Sequence, residues 1–274
     1  LDLKDAGDMT HLRRLLTMAD VLIENFRPAT LIRLGLTEQA LLALNPRLVV
    51  LAISGFGHDG PEGSRPGYDQ VAQGEAGLMS VTGSNPDDPQ RVGVPIADIL
   101  AGSYGAYGVL AALHERTRTG RGQIVRTSLL AAVVASHGYQ GTAWTVAGGR
   151  GQARGNHHPS IAPYGLFRCG EGAVQIACGN DTQWQKLSTE FGLDLDAGLT
   201  TNPQRVERRT EVIRMLEGAF SSLSVSEVIA RLGAAGVPAG RVRTIDQVYA
   251  WDQTSSQGLL IDVQHASLGP IQLP

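Results

Sequence analysis

Leu48-Val49-Val50-Leu51-Ala52-Ile53 is an unbroken apolar run, preceded by Asn45-Pro46 and followed at once by the glycine-rich Ser54-Gly55-Phe56-Gly57. A strand wet on one face alternates apolar with polar residues, so a continuous run of this length bounded by turn residues reads as a strand covered on both faces. Ala19-Asp20-Val21-Leu22-Ile23 reads the same way. A helical period over 6–18, with Leu12, Leu15 and Leu16 on one face, precedes it, and helical segments from Pro28 to Leu34 and from Thr37 to Leu44 separate the two runs. Downstream, Gln123–Thr127 reads as a third strand. Helices alternating with buried strands predict an α/β fold with a parallel sheet.

In such sheets ligands sit beyond the carboxyl ends of the strands, here the loops 24–28 and 54–68. Arg27 and Arg33 lie beside the first loop, where they suit an anionic cofactor or stand as solvated surface charges. The second loop, Ser54–Gly67, carries five glycines and two prolines. So many backbone special cases in one loop favour a functional role. P-loop and G-x-S-x-G patterns are missing, so kinase and serine-hydrolase readings lose their usual supports.

Further on, Arg91–Gly102 places one carboxylate, Asp98, in the first turn of a long apolar helix opened by Pro95 and Ala97. There it meets the positive end of the helix dipole and unpaired N–H groups, which favour its charged form. Asp98 reads either as a helix cap or as a carboxylate nucleophile. A small-residue helix from Tyr68 to about Met79 comes before it, and another helix covers 128–147. Buried helices, rather than membrane spans, account for the apolar runs 97–113 and 128–147, which polar residues and glycines interrupt.

With 274 residues the chain exceeds one typical domain. A net charge of -3 with scattered Lys and Arg gives no footprint for nucleic acid. No CxxC pair or HExxH is present, so no metal site is indicated. Cys169 and Cys178 flank a hairpin turn, where they could face each other, and read by default as reduced cytosolic thiols. Four regions are expected: a large domain over 1–147, a linker over 148–162, a small α+β domain over 163–252, and from 253 to 274 the start of a return to the large domain. The small domain should hold a hairpin of 164–169 and 173–178, helices near 182–191, 206–222 and 226–235, a strand near 237–242 and a short helix near 245–250; strands 259–264 and 270–273 follow it. An opening Leu1-Asp2-Leu3 that reads as the tail of a strand suggests a piece of a longer protein.

Several segments together resemble one family, the family III CoA-transferases, also called CaiB/BaiF. They are Glu24-Asn-Phe-Arg-Pro28 with Leu34-Gly-Leu36, Gly55-Phe-Gly57 with Gly60-Pro61, Pro66–Gln73, Gly93–Gly102, Thr119–Gln123, Pro163-Tyr164 and Gly179-Asn-Asp181. The resemblance implies a Rossmann-like large domain, here incomplete, with a smaller α+β domain, in an interlocked cytoplasmic homodimer. It implies coenzyme A as cosubstrate and no permanently bound cofactor, with an acyl-CoA and a small carboxylic acid as partners, and neither nucleic acid nor membrane. The family's catalytic aspartate falls on Asp98, which would pass through an aspartyl anhydride and an aspartyl-CoA thioester. Asn25, Phe26 and Arg33 match positions that contact CoA, with Arg27 beside them.

Two alternatives remain open at this stage, an α-methylacyl-CoA racemase-like isomerase and a catalytically silent binding remnant. Racemases of the superfamily carry a histidine where this chain has Tyr68, and a phenol with a pKa of about 10 is a poor base at neutral pH. Tyr68 either lines the acyl pocket or packs in the core. The stretch 154–164 resembles relatives that use small dicarboxylates such as succinyl-CoA. His157 and His158 there either pair with a distal carboxylate or are ordinary linker histidines.

Overall fold

The computed structural model describes residues 1–63, 65–194 and 197–274, in two compact units, 1–155 and 156–274. In the first unit β1 (Val21–Glu24), β2 (Val49–Ser54) and β3 (Ile124–Ser128) form a sheet in the order β1-β2-β3. Both pairings are parallel, with Ile23 opposite Leu51 and Leu51 opposite Val125. Leu48 through Ala52 are all buried, as an unbroken apolar run requires of the central strand. The α/β expectation holds.

Side chains alternate across β2, so its two faces meet different partners. Leu48 and Val50 join Leu16 of α1 (Ala6–Met18) and Leu41 of α3 (Glu38–Leu44) in a leucine-rich cluster; α2 (Pro28–Leu34) ends nearby at Gly35, with φ +65°. On the opposite face lie α4 (Asp69–Glu75), α5 (Ile96–Thr119) and α6 (Leu129–Ser136). The cluster there is built from Ala72, Ala76, Ala97, Ala101, Leu129, Ala132 and Val133. Glycines bring α5 down onto the sheet: a Cβ on Gly105 would lie 2.8 Å from Leu51 Cδ2, and one on Gly108 2.5 Å from Val125 Cγ1.

Three expectations in this unit need correction. The helix expected over 68–79 stops at Glu75, where Gly77 turns at φ +83° into a short 3-10 segment, Leu78–Val81. The helix expected over 128–147 breaks into α6 and α7 (Gly138–Ala147) at Gly138, with φ +54°. Burial is one-sided too: α5 buries its small residues but exposes Ile99, Tyr104, Tyr107 and Leu110, and α7 buries none of its residues. By length and composition α5 is long and apolar enough to cross a membrane. Its buried stripe of alanine and glycine is instead the surface that lies on the sheet.

The second unit pairs β4 (Tyr164–Arg168), β5 (Ala173–Ala177) and β6 (Ala239–Arg241) antiparallel, in the order β4-β5-β6. Against this sheet pack α8 (Asp181–Glu190), α10 (Arg209–Phe220) and α11 (Val225–Ala234) through Trp184, Leu187, Val212, Leu216, Phe220, Val228 and Leu232. The helix expected over 206–222 is in fact α9 (Asn202–Glu207) followed by α10, separated at Arg208, which leaves helical geometry with ψ 28°. Arg205 of α9 is fully buried, and its guanidinium donates to the carbonyls of Ala162 (2.7 Å) and Thr200 (3.0 Å) and to Asp181 Oδ1 (2.7 Å). Helices α12 (Ile245–Tyr249) and α13 (Asp252–Ser256) lead to a two-stranded sheet of β7 (Ile261–His265) and β8 (Gly269–Leu273).

Cys169 and Cys178 do not face each other. Register pairs Arg168 with Ala173 and Tyr164 with Ala177, so Cys169 sits at the turn and Cys178 at the far end of the hairpin, about 17 Å of strand away. Both are free thiols, and burial pushes the Cys178 thiol up to about 11.

Candidate active site

At the carboxyl ends of the three parallel strands lies a cavity of about 330 Å³. The chain beyond β1 contributes Asn25, Phe26 and Arg27, and the loop beyond β2 contributes Gly55 and Arg65 to Asp69. Leu129, just after β3, and Asp98 complete the wall. Five residues singled out in the sequence, Asn25, Phe26, Arg27, Tyr68 and Asp98, therefore share one cavity.

The first loop is shaped by a buried acid. Glu24 closes β1, and its Oε2 accepts the Phe26 N–H at 2.8 Å, which folds Asn25 to Arg27 over the strand end. Burial raises the Glu24 carboxyl above the usual range, the Phe26 bond opposes this, and the charge of Glu38 adds to it. In the second loop Gly55 and Gly67 touch backbone to backbone: a Cβ on Gly55 would lie 2.6 Å from Gly67 Cα. No larger residue fits this approach. Arg65 donates to Glu75 Oε1 at 2.5 Å, and its guanidinium lies 4.6 Å from the centre of the Phe56 ring. Tyr68 is 76% exposed and lines the cavity, so it does not pack in the core.

Asp98 is exposed in the first turn of α5, but it is not the cap of that helix. Asp69, at the start of α4, fills that position: its Oδ1 accepts the N–H of Ala97 at 2.8 Å and that of Asp98 at 3.4 Å. This corrects the expected electrostatics. The positive end of α5 already faces a carboxylate, so burial first, and the like charge of Asp69 second, hold the Asp98 carboxyl above its ordinary value. Ionised, it is a more basic oxygen nucleophile than a free aspartate.

Arg33, in the last turn of α2, is exposed and outside the cavity wall. His157 and His158 belong to the second unit. The His157 ring stands edge-on to Phe167 with centroids 5.5 Å apart, and burial, followed by the charge of Arg209, lowers its pKa. His158 accepts the Ser160 N–H at its Nδ1 (3.2 Å) and lies 5.1 Å from the Tyr164 ring. Both imidazoles are thus packed into the start of the small sheet. Among the described residues no group of three His, Cys, Asp or Glu side chains is placed to hold a metal ion.

Sequence reasoning passed over Arg65, Asp69 and Gln73. The signal was present in part, since Asp69 and Gln73 stand one helical turn apart within the segment Pro66–Gln73. Gln73 is fully buried and bonds Asp69 Oδ2 at 2.7 Å.

The chain is similar to several known proteins. The succinate--glutarate CoA-transferase of Agrobacterium fabrum is 34% identical over 266 residues, which are 96% of this chain and 66% of that protein. The human succinyl-CoA:glutarate CoA-transferase is 29% identical over 277 residues, covering 100% of this chain and 63% of the relative. An acyl-CoA transferase of Fusarium pseudograminearum is 37% identical over 89% of this chain and 54% of its own length. The chain thus spans between about half and two thirds of the length of these relatives. A crystal structure of a CAIB/BAIF family protein from Brucella suis superposes with a TM-score of 0.87 at 35% identity, covering 98% of this chain and 75% of that one. Residues 1–274 match the family described as CoA-transferase family III, and the chain belongs to that family.

Proposed function

We propose that the protein moves coenzyme A between small carboxylic acids by covalent chemistry on Asp98. The Asp98 carboxylate attacks the thioester carbonyl of the donor acyl-CoA; the C–S bond breaks, CoA leaves as its thiolate, and a mixed anhydride remains. The thiolate then attacks the aspartyl carbonyl of that anhydride, releasing the donor acid and forming an aspartyl-CoA thioester. An acceptor carboxylate attacks this thioester and again frees the thiolate, which takes the acceptor's acyl carbon and restores Asp98. Each step exchanges one activated acyl bond for another, so no net energy source is consumed.

The observation that carries this reading is an exposed carboxylate held at the mouth of α5, in a cavity whose wall also includes Arg27 and Arg65, cations suited to an anionic cosubstrate. The test is peptide mass spectrometry after incubation with succinyl-CoA, quenched with hydroxylamine to convert activated aspartyl groups to hydroxamates. A hydroxamate on the Asp98 peptide is expected, with a fall in turnover of the order of 10⁴-fold or more in Asp98→Asn. Retained turnover in a folded Asp98→Asn protein would overturn the mechanism.

For substrates we propose a dicarboxylyl-CoA donor such as succinyl-CoA and a small dicarboxylate acceptor. Relatives with such names support this. Equal rates with butyrate and succinate as acceptors would rule it out. The assembly we propose is an interlocked cytoplasmic homodimer, and sedimentation of the protein as a monomer at low concentration would argue against it.

A further inference from the structure

We propose that Gln73 is a positioning residue for Asp98, joining the chain just before α5 to the carboxylate that caps that helix. This rests on Asp98 being the nucleophile.

The chain entering α5 is poorly held by its own sequence. Gly93 has open space around it and no side chain to anchor it, and it stands between Val92 and Val94 only a few residues before Asp98. Gln73 grips both neighbours. Its Oε1 accepts the Val92 N–H at 2.8 Å, and its Nε2 reaches the Val94 carbonyl at 3.4 Å. The same Nε2 donates to Asp69 Oδ2 at 2.7 Å, while Asp69 Oδ1 takes the N–H groups of Ala97 and Asp98. One amide and one carboxylate, a turn apart on α4, thereby fix residues 92–94 and the first turn of α5 against a single surface. The amide is fully buried, where an unpartnered polar group costs about 1–3 kcal/mol, so the bonds are held rather than exchanged with water.

A second consequence concerns charge. The Nε2–H donor holds the Asp69 carboxylate in place, and Asp69 is the like charge that adds to burial in raising the Asp98 carboxyl. The other titratable groups in the wall around Asp98 are Arg27, Arg65 and Tyr68. Substitution at Gln73 leaves all three in place, so a change in Asp98 titration reports the Gln73–Asp69 link.

Two variants test this. Gln73→Met keeps the volume and removes every hydrogen bond. Gln73→Glu keeps the acceptor for Val92 and loses only the amide donor that faces Asp69 and Val94. Both are compared with the unaltered protein by ¹³C-carboxyl titration of Asp98 without substrate and by steady-state transfer from succinyl-CoA to succinate analogues. In Gln73→Met the Asp98 midpoint should fall, because Asp69, released from the amide, moves away; in Gln73→Glu the added carboxylate leaves at least as much negative charge beside Asp98 and the midpoint should not fall. The kcat should drop by about 10- to 100-fold, with KM for succinyl-CoA within about twofold, as expected when positioning rather than binding is lost. In Gln73→Glu, kcat should recover towards acid pH, where a proton shared between the introduced carboxylate and Asp69 replaces the missing N–H.

A purely structural glutamine would lower the melting temperature without moving the Asp98 midpoint or separating kcat from KM. An unmoved midpoint in Gln73→Met overturns the proposal, and if Gln73→Met does not fold, Gln73→Glu decides alone: an unchanged kcat, or a lowered kcat that does not recover towards acid pH, overturns it. The titration needs no turnover, so a protein that never forms an Asp98 hydroxamate but whose midpoint still shifts would lose its proposed chemistry and keep this link.

Discussion

Where the second unit fills its interior with Phe167, Trp184, Leu187, Leu216 and Phe220, the face of the first unit that carries Asp98 is packed mainly with alanine, five of its seven buried cluster residues. Large side chains bury more area and keep backbones about 10 Å apart. Alanine and glycine give up area and let backbones approach closely. That closeness allows Asp69 of α4 to reach the first N–H groups of α5, and allows α5 to rest on β2 and β3 through Gly105 and Gly108. The face that carries Asp98 is organised for short reach, and the second unit for burial.

If the contrast is real, the two regions fail in opposite ways. Truncation should hurt the second unit most. Phe220 is fully buried with its ring 4.8 Å from that of Phe191, so Phe220→Ala should lower stability by about 3–5 kcal/mol in denaturant titration. A loss below about 1 kcal/mol would show that this core is loosely packed. Enlargement, rather than truncation, should hurt the face that carries Asp98. Gly105→Leu drives a branched side chain into Leu51 and should destabilise by about 1–3 kcal/mol, although leucine is the better helix former. A neutral or stabilising result would mean that α5 can lift from the sheet freely.

The smallest effect expected is at Glu24, where the contrast concerns charge rather than volume. Its carboxyl is raised in the folded protein, so the native state binds the proton more tightly than the unfolded chain. Stability contributed by this group is therefore highest below the unfolded carboxylate pKa and declines as pH rises through the folded one. Glu24→Gln keeps an acceptor for the Phe26 N–H and removes the buried charge. It should gain up to about 1 kcal/mol at pH 7 and nothing at low pH, as read by melting curves across that range. A loss at pH 7 would show that the ionised carboxylate is needed to hold the Asn25–Arg27 turn.

Much of this was legible in the sequence where the signal is local. The run 48–53 declared a buried central strand, and Pro95 with the residues after it placed Asp98 in a first turn. Gathering Asn25, Phe26, Arg27, Tyr68 and Asp98 in one cavity follows from loops that leave the same end of a parallel sheet. What escaped was set by partners distant in the chain or by backbone angles. Hydrophobic period does not announce that Gly77 and Gly138 adopt positive φ, so it predicts two helices longer than they are. The rise in the Asp98 pKa comes from burial first and then from a like charge brought from another helix, and no pattern around Asp98 records either. Cys169 and Cys178 looked like a facing pair because the exact hairpin register lies beyond what spacing alone can fix.

The cap that Asp69 supplies to α5 comes from 28 positions upstream in the chain. Closing that loop carries an entropic penalty that a cap borrowed from the residue next door would not. A chain that has formed both helices but not yet docked them has Asp98 in a frayed first turn, with the Ala97 amide open to solvent. Deuterium uptake at that one amide is then a clock for docking. In a sub-global opening that separates α4 from α5, that amide and the geometry around Asp98 should come undone together.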